Sequence, residues 1–173
     1  MKIRNLRTLF LVSAALSMAQ AADAESDPKL GFRAFGTVRL GMDVAALEKA
    51  MGVRMTGSPV DPGGNCRYVA PVKGHEGMHF MLIDDKLARV DVEAAQVRTL
   101  SGIGLGSTEA SVRSTYRGRI EESPHKYGGG ESAYLTIYSR SRRHAIRFET
   151  ENGKVRHFYA GTAETVQYSE GCS

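Results

Sequence analysis

The chain repeats itself, and this constrains its fold more than any single motif. Arg39-Leu40-Gly41-Met42-Asp43-Val44, followed by Leu47-Glu48-Lys49-Ala50-Met51, reads as a Leu-Gly turn leading into a short helix. Gly104-Leu105-Gly106-Ser107-Thr108, followed by Val112 and Tyr116, reads the same way roughly 65 residues later. After the first turn, Met78-His79-Phe80 and Asp85-Lys86-Leu87 form a hairpin with a tight polar bend. After the second, Ile146-Arg147-Phe148 and Gly153-Lys154-Val155 form another around Glu151-Asn152-Gly153. Asn-Gly between alternating segments is a strong hairpin signal, because both central residues tolerate positive φ. The two copies share pattern rather than identity, and the loops absorb the difference in spacing.

Each copy therefore reads as a helix, a variable loop and a set of strands. Asp43 and Thr108 (or Ser107) are placed to cap the helices, since their side-chain oxygens can accept the first free amides. Strands are predicted over 67–70, 78–83 and 87–93 in the first copy and over 134–138, 143–150 and 154–160 in the second. Hairpin connections make the sheet antiparallel. The expected fold class is α+β: two tandem helix–loop–antiparallel-strand units forming one open sheet, with helices gathered on one face. The units span 36–98 and 99–161, flanked by an N-terminal extension at 22–35 and a C-terminal tail at 162–173.

The first residues read as a leader. Lys2, Arg4 and Arg7 precede an apolar run over 9–18, and Ala19-Gln20-Ala21 supplies small residues where a signal peptidase reads them. A signal peptide is predicted over 1–21, with an alternative cut after 24 at Ala22-Asp23-Ala24. The run is shorter than the roughly 20 residues that a bilayer requires, so the mature form is expected to be periplasmic or secreted, without a membrane span. Cleavage removes three cations and no anion, so most of the excess of 23 Lys+Arg over 19 Asp+Glu belongs to the leader. Net charge then gives no reason to expect a nucleic-acid partner. Only two cysteines are present, and in an oxidising compartment Cys66 and Cys172 are expected to pair, tying the tail to the first unit.

Strand parity divides the predicted sheet into two faces. Met78, Phe80, Leu82, Val90, Val92, Leu135, Ile137, Ile146, Phe148 and Phe158 point one way, toward the helices. His79, Met81, Arg89, Asp91, Tyr134, Thr136, Tyr138, Arg147, Glu149, His157 and Tyr159 point the other. The second set is rich in Tyr, His and Arg, which bury a large area with few rotors and keep a polar handle, as binding hot spots do. Tyr134, Tyr138, Arg147, His157 and Tyr159 are the candidate centre of a binding face, against the plainer reading of a solvated sheet surface. Two loops are candidate contact elements: Pro124-His125-Lys126-Tyr127-Gly128-Gly129-Gly130, through His125 and Tyr127, and Ser139-Arg140-Ser141-Arg142-Arg143-His144, through Arg142.

Catalytic motifs do not fit their contexts. His75-Glu76-Gly77-Met78-His79 matches H-E-x-x-H, but zinc needs both histidines on one helical turn. Here the segment holds Gly77 and leads into a predicted strand, where residues four apart lie about 13 Å from each other. Gly102-Ile103-Gly104-Leu105-Gly106 is neither G-x-G-x-x-G nor a Walker loop, and the turn shared with the first copy accounts for it. There is no G-x-S-x-G elbow, and His125, His144 and His157 have no spaced Ser or Cys partner. The chain is not expected to be an enzyme, and no cofactor or metal is expected.

A leader, two tandem helix–loop–strand units with a Leu-Gly turn before each helix, and one antiparallel face together resemble the β-lactamase inhibitory protein fold over about 36–161. The small lipoprotein of the outer-membrane β-barrel assembly machinery is similar to one such unit. The resemblance implies a non-catalytic sheet that grips a partner protein. The chain departs from it in having one cysteine in the first unit and one in the tail, rather than a disulfide within each unit. The closing Val166-Gln167-Tyr168-Ser169-Glu170-Gly171-Cys172-Ser173 also resembles the tail of uncharacterised exported proteobacterial proteins, some labelled lectin-like. The functional expectation is thus an exported binding protein for an envelope or extracellular protein, as an inhibitor or immunity factor. The alternative is a carbohydrate-binding, lectin-like module.

Overall fold

The computed structural model describes residues 28–58, 64–129 and 131–172. The predicted signal peptide, both cleavage sites, residues 22–27 of the extension and Gly130 lie outside the described residues.

Short-range signals build the local elements. A two-stranded ribbon of β1 (Ala34–Phe35) and β2 (Val38–Arg39) leads to helix α1 (Val44–Met51). Asp43 caps α1, its carboxylate accepting from the Ala46 amide at 2.9 Å, and Gly52 closes the helix in the left-handed region. That amide and then Lys86 hold the Asp43 carboxyl below its ordinary value. Four strands follow: β3 (Met55–Gly57), β4 (Cys66–Pro71), β5 (Met78–Ile83) and β6 (Lys86–Val92). Helix α2 (Glu109–Thr115) is capped by Thr108, which accepts from the Ser111 amide at 3.1 Å. Four more strands then follow: β7 (Ile120–Pro124), β8 (Ser132–Tyr138), β9 (His144–Glu151) and β10 (Lys154–Thr162).

The Leu-Gly turns dock in the same way in both halves. Gly41 donates its N–H to Leu87 O and Leu87 donates to Met42 O, each at 2.8 Å. Gly106 donates to Val155 O and Val155 donates to Ser107 O, each at 2.9 Å. Leu87 and Val155 each open the return strand of a hairpin. The bends before them place Asp84-Asp85 and Asn152-Gly153 at positive φ, a geometry whose twist matches the flanking strands.

The eight strands β3 to β10 join one antiparallel sheet in the order β3-β4-β5-β6-β10-β9-β8-β7. The order is palindromic, and the halves meet at β6 and β10, where Phe158 lies opposite Val92 and Ala160 opposite Val90. Gly161 is required at that seam, since a Cβ there would lie 2.4 Å from Ala88 O.

The expected α+β class is corrected by this architecture. Among the described residues the chain is mostly β, with an eight-stranded sheet and only two α-helices of eight and seven residues. The helices are too short to form a layer: α1 fully buries Leu47 and α2 fully buries Val112. Strand side chains build the core, including Phe80, Val92, Leu135, Phe148 and Phe158, and Phe35 of β1 with Leu30, Val97 and Ile103 from connecting segments closes it. Phe148 stacks on Phe158 with ring centroids 5.7 Å apart. Four strands are missing from the sequence reading: β1 and β2 of the small ribbon, and β3 and β7, the largely exposed edges of the sheet.

Candidate functional site

The second face of the sheet is not open either, because the C-terminal tail crosses it. After β10 the chain makes a 3-10 turn (Thr165–Gln167) and runs to Cys172, which is bonded to Cys66 at the start of β4. Val166 packs with Ala145 and Tyr159 in a small second core. Gly171, at positive φ, lies against the ring of Tyr68, where a Cβ would come within 3.0 Å of the ring.

Arg89 fastens the tail to the sheet. A guanidinium has five N–H donors, and all five are used. Nε donates to Asp91 Oδ2 at 2.9 Å, and Nη2 donates to Asp91 Oδ1 at 2.8 Å and to Tyr68 Oη at 2.5 Å. Nη1 donates to Thr165 O at 2.7 Å and Tyr168 O at 2.9 Å. The ion pair is buried on both sides, and the guanidinium also covers the Tyr159 ring at 4.4 Å. Burial pushes the Asp91 carboxyl upward, against the pull of Arg89.

Beside this anchor lies a groove of about 450 Å³, lined by Tyr68, His79, Asp91, Glu93, Glu149, His157 and the tail at 168–171. Glu149 is its organiser. It accepts from Tyr159 Oη at 2.9 Å, lies 3.2 Å from His125 Nε2 and 3.9 Å from His157 Nδ1. Burial, then the nearby Glu149 charge, raise the Tyr159 phenol, so it stays protonated and donates. The Tyr127 amide donates to His125 Nδ1 at 3.2 Å, which leaves the His125 proton on Nε2, aimed at Glu149. A larger open notch of about 800 Å³ lies between α2 and β7, but Arg113 in its wall is already paired with Glu109 at 2.6 Å and Glu122 at 2.9 Å.

The residues singled out from sequence fall into three groups. His157 and Tyr159 border the groove, and His125 reaches it through Glu149. Tyr134 and Arg147 are on the same face but buried; the Tyr134 ring stacks on His125 at 4.4 Å and lies under Arg147 at 4.8 Å. Arg147 also donates to Thr136 Oγ1 at 2.9 Å and to Gln167 of the tail. Tyr138 accepts from Gln167 Nε2 at 3.0 Å, with Arg142 stacked over it at 4.2 Å and salt-bridged to Glu121 at 2.7 Å. Tyr127 is 63% exposed on its loop.

Parity alone did not single out Tyr68, Glu93 or the tail. Glu93 is one parity step beyond Asp91, and the Cys66–Cys172 pairing brings residues 168–171 over the sheet beside β4. His79 of the H-E-x-x-H segment is on β5, whereas His75 is in the preceding bend at positive φ. Among the described residues no group of three His, Cys, Asp or Glu is arranged to hold a metal ion.

No family model and no curated protein matches the chain. Among solved structures it is similar to the uncharacterized protein yfeY from Escherichia coli, with 16% identity and a TM-score of 0.52 over 77% of this chain and 99% of that one. It is also similar to an extracellular protein containing a SCP domain from Bacillus anthracis, with 13% identity and a TM-score of 0.49 over 74% of this chain and 45% of that one. The first likeness concerns the fold alone.

Proposed function

We propose that this chain is an exported, non-catalytic binding protein that holds a protein partner of the envelope or extracellular space at the groove beneath its tail. The observation that carries the proposal is the rigid floor beside an accessible rim. Arg89, Asp91 and Tyr159 are buried and satisfied by one another, by Glu149 and by the tail, while Glu93 and His79 reach solvent. A pre-organised surface of this kind loses little side-chain freedom when it binds. The ionisable groups on the floor are committed to structural bonds, which supports binding over catalysis. The Cys66–Cys172 disulfide fits export into an oxidising compartment. No helix among the described residues is long and apolar enough to cross a membrane.

The resemblance to β-lactamase inhibitory proteins belongs to the same proposal, with an inhibitor or immunity role as its specific form. A glycan is the second reading, favoured by exposed Tyr127 beside His125, a ring on which a sugar could stack. Pull-down from envelope extract with the oxidised protein, read by mass spectrometry, tests the first reading, and a glycan array tests the second. A specific protein captured with an empty array supports the proposal. A glycan hit with no captured protein overturns it.

A further inference from the structure

We propose that the groove seats an arginine guanidinium of the partner, with Glu93 as its carboxylate and His157 Nε2 as a second acceptor. This rests on the binding reading above and names the chemistry of the same site.

Glu93 follows β6 on the covered face, and its two oxygens each face a different imidazole. Oε2 is 3.9 Å from His79 Nε2 and Oε1 is 3.9 Å from His157 Nε2, both beyond hydrogen-bond reach. His157 Nε2 is itself buried and has no hydrogen-bond partner. Buried polar atoms are paired in nearly all folded proteins, so an orphan at the wall of a groove points to a partner that the chain itself does not supply. Each His157 ring nitrogen faces a carboxylate at the same 3.9 Å, Nδ1 toward Glu149 and Nε2 toward Glu93, so the ring can carry its proton on either side. With the proton on Nδ1, Nε2 offers a lone pair beside the Glu93 carboxylate, and a bound guanidinium would select that tautomer.

The charges agree with this. Arg89 is neutralised by Asp91, and Lys126 pairs with Glu170 at 2.6 Å. The bonds that Glu149 receives come from Tyr159 and His125, neither of them a permanent cation. Among the described residues the ion-pair partners of Glu93 are the two imidazoles. While those imidazoles are neutral, Glu93 is an anion without a hydrogen-bond donor among the described residues.

A guanidinium supplies both deficits at once. Its planar fork matches a carboxylate bidentately, and its remaining N–H groups can reach a neighbouring acceptor. The Glu93 side chain is 60% exposed and that of His79 is 41% exposed, so the rim is open to solvent. A volume of about 450 Å³ lies within the range of ligand pockets.

The test is an amide NMR titration of the oxidised protein with acetyl-Gly-Arg-Gly-amide and its citrulline counterpart, which keeps the shape and removes the charge. Saturable shifts at residues 79, 93 and 157 are expected, with citrulline binding at least tenfold weaker. Glu93→Gln, a change at an exposed side chain, should lower arginine-peptide affinity at least tenfold without moving the melting temperature. Equal binding of the two peptides, or wild-type affinity in Glu93→Gln, overturns the inference. Equimolar zinc chloride shifting the same residues while the peptide shifts none also overturns it, by making the groove a metal site. A protein captured from envelope extract that binds Glu93→Gln as tightly as wild type sinks this inference and leaves the binding reading standing. No captured protein, with the arginine peptide still held, reverses that outcome.

Discussion

Arg89 grips Asp91, two residues along its own strand, through two parallel hydrogen bonds of 2.9 and 2.8 Å, with both side chains almost fully buried. Removing one member of such a pair strands the other's charge, whereas removing both does not. Arg89→Met should therefore cost about 3–5 kcal/mol of stability. Arg89→Met combined with Asp91→Leu should recover part of that, although Thr165 O and Tyr168 O stay without their donor. Urea unfolding of the three proteins decides the point, and a single variant as stable as wild type would show that the pair is not an anchor.

Tyr159 is 1% exposed, with Arg89 on one face of its ring and Val166 of the tail packed against it. Tyr159→Ala should accordingly behave as a core truncation and cost about 3–5 kcal/mol, as Phe148→Ala should. Tyr127→Ala, at an exposed ring, should stay within about 0.5 kcal/mol of wild type. Thermal melts of the three variants check this ordering.

The Cys66–Cys172 bridge closes a separation of 106 residues. Cys172→Ser should cost about 4 kcal/mol in the chain-entropy view. Hydrogen exchange should rise first at 165–171, where the tail would keep Arg89, Val166 and the side-chain bonds of Thr165, Gln167 and Glu170 but lose its covalent tie. In unreduced wild-type protein, maleimide should label neither cysteine.

Some of this was legible in the sequence and some was not, for physical reasons. The caps at Asp43 and Thr108 and the bends at Asp84-Asp85 and Asn152-Gly153 depend on residues a few positions apart, so local chemistry reveals them. Parity identified which side chains share a face, because side chains alternate along any strand. It could not reveal exposure: Tyr134, Arg147 and Tyr159 are covered by one another and by a tail held through Arg89 and the disulfide, all long-range contacts. The helix content was overestimated because the turns before α1 and α2 are strong signals, while only Leu47 and Val112 are fully buried along them. Strand β7, Ile120-Glu121-Glu122-Ser123-Pro124, has no apolar alternation and takes its conformation from pairing with β8. Glu93 lay outside the predicted centre because its role comes from the imidazoles of two other strands, His79 on β5 and His157 on β10.

The central claim is that the groove beneath the tail, rather than another surface, holds the partner. Calorimetric titration of the captured partner against His79→Ala, His157→Ala and the distant exposed control Leu100→Ser tests it most directly. The groove variants should each weaken binding at least tenfold, about 1.4 kcal/mol, while Leu100→Ser binds as wild type does. Unchanged affinity in both histidine variants, with loss in Leu100→Ser, would contradict the account.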